Sequence, residues 1–403
     1  MFSIFKQRFW QPPRAHGEVI EDRSVGFIEL FYDLVYVVVI AQAAHHLAEH
    51  ISWRTAAEFS VIFGMIWMAW LNGTLYQDLH GRDDGRSRTY IFAQMGILAV
   101  LAVYTGDAAG ESGQGFAVAY TVFLLLLTWM WYSVRRQDSD EYSAITARYL
   151  AGMATSVVVI GISSLLPDEA RVILWGAFVI GWAAGSLAMR RLLGESAGIT
   201  MTDSTLERFG LFTIIVLGEV VVGVVNGLSE ATRDFRTVAT GLIGLSIGFG
   251  AWWTYFDFVG RRFPRGESGV AWMYGHLPVS MGIAAAGAAL VSLVAHAGES
   301  RADADAAWLL AGSIAMTLVA LIITMRTLAD YDRLPSIYRP LTNVMIGAAV
   351  AVLLIGWWRP APWVFVLALF VTLSTVWWFA VDRYLRLPDS IDPRPGGEKQ
   401  AAS

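Results

Sequence analysis

The chain of 403 residues is 56% hydrophobic and only 16% charged, where a soluble protein of this size averages about 25% charged. Its formal charge of −5 is small and names no partner; most of its surface is expected to face lipid. It has no cysteine, which excludes disulfides, thiolate metal centres and cysteine nucleophiles.

Residues 1–26 read as a leader on the cytoplasmic side. MFSIFKQRFWQPPRAHGEVIEDR is charged along its length and lacks the apolar core of a cleaved signal peptide. Phe2, Phe5, Phe9 and Trp10, beside Lys6 and Arg8, suit a short interfacial helix; a frayed basic leader is the alternative. A helix needs about 20 apolar residues to cross the hydrocarbon core. On that measure the pattern predicts twelve spans, near 27–47, 55–77, 88–106, 114–133, 146–166, 171–190, 204–226, 237–260, 269–295, 305–327, 338–357 and 361–382. Residues 387–403 read as a disordered cytoplasmic tail.

The first span carries two carboxylates, Glu29 and Asp33. At i and i+4 they share one helix face, which Tyr36 and Ile40 continue. A carboxylate at mid-bilayer costs about 2.5–3.5 kcal/mol even on the lenient insertion scale, so this face should point into the bundle. Arg88 and Arg148 are candidate partners. His46 and His50 are also i, i+4, but no third metal ligand is evident. Asp78 ends the second span and Gln94 lies one or two turns into the third.

Glu207 and Arg208 open the seventh span, and Arg208 is expected to pair with Glu207 or Asp257. Glu219 lies about 18 Å beyond Glu207 along that helix at 1.5 Å per residue, with Leu217, Gly218, Val220 and Val221 around it. Burial without a partner disfavours the ion, which is the profile of a proton-exchanging site; a permanently protonated Glu bonded to a neighbouring helix is the alternative. Gly241, Gly244 and Gly248 share one face of the eighth span and predict close helix packing. Asp257 lies at that span's end. His276 lies about two turns into the ninth, followed by Pro278, which frees the carbonyl of Tyr274. That carbonyl could serve a cation or water, or the proline could simply kink the helix.

Of the 29 Lys and Arg, six fall on the odd-numbered loops: Arg54, Arg171, Arg233, Arg236, Arg301 and Arg359. Positive charge is retained inside, so both termini are expected to be cytoplasmic. Shifting the chain by 182 residues sets Trp70 on Trp252 and Gln94 on His276. This predicts two parallel six-helix repeats, 27–190 and 204–386, about an axis along the membrane normal.

IELFYDLVYVVVIAQ (28–42), LERFGLFTIIVLGEVVVGV (206–224), WMAWLNGTLYQDL (67–79) and WWTYFDF (252–258) resemble segments of the LtrA family, the bacterial low temperature requirement A proteins. The resemblance covers about residues 20 to 385, and Glu29, Phe31, Asp33, Glu207, Arg208, Gly218 and Glu219 match its motifs. It implies a multi-pass protein of the bacterial inner membrane and transfers no catalytic residue. Phe31-Tyr32-Asp33 is also similar to the Phe-Ser-Asp motif of two-repeat lysosomal potassium channels. Tyr stands for Ser here, and the seventh span lacks a counterpart, so that likeness concerns architecture alone.

No GxGxxG, Walker loop or HExxH occurs. The arginine clusters call for the topology rule, not for nucleic acid. No cofactor is implied; the expected partners are membrane lipids, a proton or small cation, and a second copy of the chain. The reading is a proton- or cation-linked transporter or channel, with Glu219, Asp33, Glu29, Glu207, Arg208, Asp257, His276, Gln94 and Asp78 as site candidates. An enzyme acting on a lipid-type substrate and a non-catalytic scaffold are the alternatives.

Overall fold

The computed structural model describes residues 9–18, 25–193, 201–232 and 234–387. The expectation for the tail lies almost wholly outside these residues, as do Phe2, Phe5, Lys6 and Arg8.

The fold is all helical among the described residues. Twelve long helices follow in order: α1 Phe27–Glu49, α2 Trp53–His80, α3 Gly85–Thr105, α4 Gly113–Arg135, α5 Asp140–Ser163, α6 Asp168–Leu193, α7 Asp203–Glu230, α8 Phe235–Phe258, α9 Gly269–Ala295, α10 Ala304–Met325, α11 Pro335–Trp358 and α12 Pro362–Leu385. Eleven are long and apolar enough to cross a membrane. The exception is α8, which has 24 residues but dilutes its Leu and Ile with Gly, Thr and Trp.

Their starts are local decisions. Asp84 caps α3 by accepting from the Ser87 amide at 2.9 Å, and Asp234 caps α8 through the Thr237 amide at 2.8 Å. Each satisfies an amide that the helix leaves unpaired. Pro335 and Pro362 occupy first positions, where the missing N–H costs nothing. α9 runs unbroken through Pro278.

Hydroxyls within the helices bond back to their own backbone. Thr121 reaches the Ala117 carbonyl and Thr372 the Ala368 carbonyl, at 2.7 and 2.8 Å, so a lipid-facing helix can carry them. The outward faces are apolar: Val103, Ile173, Val225, Leu242 and Leu354 are all exposed. Exposed tryptophans sit at helix ends, with Trp53 opening α2 and Trp357 and Trp358 closing α11, as suits a membrane interface.

The chain forms two compact units, Met1–His46 with Ala57–Arg208, and Leu47–Ala56 with Phe209–Ser403. In the second unit the glycines of α8 pack as their spacing predicts. Gly241 and Gly244 lie against Val224, and Gly248 lies against Val220. α7 meets α9 still more closely. A Cβ on Gly287 would stand 2.5 Å from the Glu219 carbonyl oxygen, and one on Gly223 would overlap the Gly287 carbonyl. Backbone cannot swing aside as a side chain can. Gly287→Val is therefore expected to lower the melting temperature in detergent far more than Gly347→Val, whose Cβ meets open space; equal effects would mean that α7 and α9 do not cross there.

Candidate functional site

One group of polar side chains in the first unit meets on α1. Glu29 and Asp33 are 6% and 1% exposed, and Tyr36 and Ile40 are fully buried. The acidic face points inward, as its cost in lipid requires. Glu29 accepts from the Gly26 amide at 3.1 Å, within its own first turn.

Asp33 has a partner that the sequence did not suggest. Arg208 donates through Nη2 to Asp33 Oδ1 at 2.7 Å, and both side chains are essentially sealed from solvent. Trp70 Nε1 donates to the same oxygen at 2.9 Å. The guanidinium also lies over the Tyr32 ring, 5.9 Å from its centre. The expected partners are displaced: Glu207 is exposed and accepts from the Val25 amide at 3.4 Å. Asp257 is exposed as well, and Arg88 pairs with Asp83 at 2.8 Å. Neither acid near Arg208 in the pattern holds it, because a long side chain at a helix start is free to turn toward the adjoining helices.

Asp78 forms a second anchor. Its carboxylate accepts from the hydroxyls of Thr202 and Thr205, at 2.9 and 2.5 Å. Gln94 is buried and accepts from the Tyr32 hydroxyl at 3.0 Å, while its amide donates to the sulfur of Met130. Tyr32 and Tyr36 are joined hydroxyl to hydroxyl at 3.0 Å.

In the second unit His276 is 1% exposed. Its Nδ1 lies 2.8 Å from the Trp272 carbonyl and its Nε2 3.0 Å from the Tyr255 hydroxyl. Both ring nitrogens are thus engaged, and the histidine reads as a satisfied core residue. Glu219 is 4% exposed and makes no hydrogen bond or ion pair with any described residue. It lies on α7, 16 residues from its start and 11 from its end. An apolar cavity lined by Val220, Ile247, Ala286, Leu290 and Leu321 lies in the same unit. Such a lining does not solvate an ion.

No group of three metal-ligating side chains occurs among the described residues, and His46 with His50 therefore gains no third ligand there.

The leader contributes what the sequence did not foresee. Residues 9–18 lie across helix ends of the first unit. Arg14 is 3% exposed. It donates to the carbonyls of Asp78 and Gly81 at the end of α2, the latter at 2.8 Å, where the unpaired carbonyls and the negative end of the helix dipole favour a cation. His16 meets Asp138 at 2.9 Å, and Thr146 donates to the other carboxylate oxygen at 2.5 Å. Burial alone would lift the Asp138 carboxyl, but the hydrogen bonds from Thr146 and from the His16 ring and amide together hold it below the usual carboxylate range. The contact's stabilisation is therefore present above the ordinary carboxylate pKa and lost as pH falls through the depressed one. Limited proteolysis should find the leader protected at neutral pH and cleaved in strong acid, and Asp138→Asn should expose it at neutral pH. Equal protection of the variant would show that this contact does not hold the leader.

The family described as bacterial low temperature requirement A protein (LtrA) matches residues 24–373. "Uncharacterized protein RA0937" of Rhizobium meliloti (strain 1021) is 27% identical over 284 residues, covering 66% of this chain and 68% of that protein. No solved structure matches.

Proposed function

We propose that this protein, which belongs to the bacterial low temperature requirement A (LtrA) family, moves protons or small cations across the bacterial inner membrane, with both of its termini on the cytoplasmic side. That it is a multi-pass helical membrane protein follows from eleven membrane-length apolar helices and the family. The transport reading rests on one observation above the others. Asp33 and Arg208 form an ion pair sealed inside the helices, incompletely satisfied at both members.

Two buried charges cost several kcal/mol each to desolvate, and a structural pair recovers this only when its remaining protons and lone pairs are bonded. This pair leaves Asp33 Oδ2 and Arg208 Nε and Nη1 without a hydrogen bond. Glu219 adds a further buried carboxyl, with no cation beside it. Ionisable groups inside a membrane mark ion pathways and proton relays. Asp33, Arg208 and Glu219 carry the proposal; Asp78, Gln94 and Glu29 support the first group, whereas Glu207, Asp257 and His276 are not needed by it.

The test is reconstitution of purified protein into liposomes holding a pH dye or an alkali-cation dye. Protein-dependent flux under an imposed pH gradient or membrane potential is expected. Liposomes that stay as tight as empty ones under every gradient would sink the proposal.

A further inference from the structure

The atoms left unpaired around Asp33 and Arg208 belong to a larger set. Thr74 Oγ1, Gln77 Nε2 and Ser204 Oγ are also buried without a hydrogen-bond partner. Their residues are at most 2% exposed. Native interiors pair nearly every such group, so six unpaired atoms on five neighbouring side chains require an explanation.

Helix geometry puts them in one place. Trp70, Thr74, Gln77 and Asp78 are spaced i, i+4, i+7 and i+8 and share one face of α2. Ser204, Thr205 and Arg208 likewise share a face at the start of α7. Two pins join these faces. At one, Trp70 and Arg208 hold the same oxygen of Asp33; at the other, Asp78 accepts from Thr205. Thr74 and Gln77 lie between the pins on α2, and Ser204 stands one turn from Arg208 on α7. The unpaired atoms on α2 and α7 therefore belong to the stretch of the two helices that these pins join.

Their chemistry selects the occupant. Three of the six are N–H donors, two of them on a guanidinium cation, which repels a bare alkali ion; such an ion needs a shell of oxygens. The sixth, Asp33 Oδ2, is an acceptor, and the two hydroxyls serve either way. Water fits this mixture, and a buried water makes about three hydrogen bonds. Resting on the transport reading above, we propose that Asp33, Thr74, Gln77, Ser204 and Arg208 enclose bound water that links Asp33 to Asp78. This relay passes protons and excludes sodium and potassium. A proton on Asp33 Oδ2 moves to the adjacent water, and that water releases one of its own to the Asp78 carboxylate, so the water is regenerated, Asp33 is left as the carboxylate and Asp78 as the acid. The charged and titratable groups around the relay are Glu29, Tyr32 and Arg208 beside Asp33, and Arg14 on the carbonyl of Asp78.

Two measurements on the Thr74→Val, Ser204→Ala double variant test this. The first is the melting temperature in detergent. Hydroxyls bonded to water are missed, so it should fall; a rise would mean the hydroxyls were dry and unsatisfied, which overturns the hydrated cluster. The second is flux in liposomes. The wild type should carry protons and not sodium or potassium, and the variant should lose at least about tenfold of that flux. Alkali flux through the wild type at constant pH would overturn the relay while leaving the transport reading intact. No flux of any ion would sink the transport reading and the relay with it, whereas the melting result would still decide whether the cluster holds water.

Discussion

Replacing Arg208 with leucine is expected to destabilise the protein by roughly 3–5 kcal/mol, the cost of leaving a buried charge without its partner. Asp33 would be the residue stranded. It is 1% exposed, and only Trp70 would remain bonded to it. Removing both charges should repair most of the damage, since a buried pair replaced by apolar groups of similar volume is often neutral or better. The Asp33→Leu, Arg208→Leu double variant should therefore melt well above Arg208→Leu alone. Thermal unfolding in detergent, read across the four-member cycle, gives the coupling directly. A single variant within about 1 kcal/mol of the wild type would show that the pair is not buried as described. The double variant has a second use. If it folds as well as the wild type but carries no ions, the pair is retained for transport and not for stability.

Glu219→Gln should act the other way, on flux and not on folding. The side chain is 4% exposed and has no bonded partner among the described residues, so glutamine keeps its shape and removes its proton exchange. Proton-linked flux in liposomes is expected to fall at least about tenfold, equivalent to roughly 1.4 kcal/mol or more on the transport barrier. The melting temperature should stay level or rise, because a neutral amide is easier to bury than a carboxylate. Wild-type flux in this variant would remove Glu219 from the mechanism. A collapse in melting temperature would assign it a structural bond instead.

The sequence by itself determined the helices and which way their faces turn. Those properties are periodic and local. The spacing of Glu29, Asp33, Tyr36 and Ile40 placed them on one face, and the cost of a carboxylate in lipid turned that face inward, where the structure has it. Gly241, Gly244 and Gly248 announced a close packing that needs no knowledge of the partner. The isolation of Glu219 was legible too, because its neighbours on the helix are apolar.

Partnership was not legible. The pattern offered Glu207 and Asp257 to Arg208, but both are exposed, and Arg208 instead meets Asp33, 175 residues away in the chain. A hydrogen bond depends on which helices lie side by side and on how far a flexible side chain reaches, and neither is written in local spacing. For the same reason nothing in the local spacing singles out Thr74, Gln77 and Ser204. The burial of Arg14 was hidden because its acceptors are backbone carbonyls at the end of α2, and every helix ends in such carbonyls. Tertiary structure alone decided which helix end lay beneath the leader and which carboxylate faced the arginine.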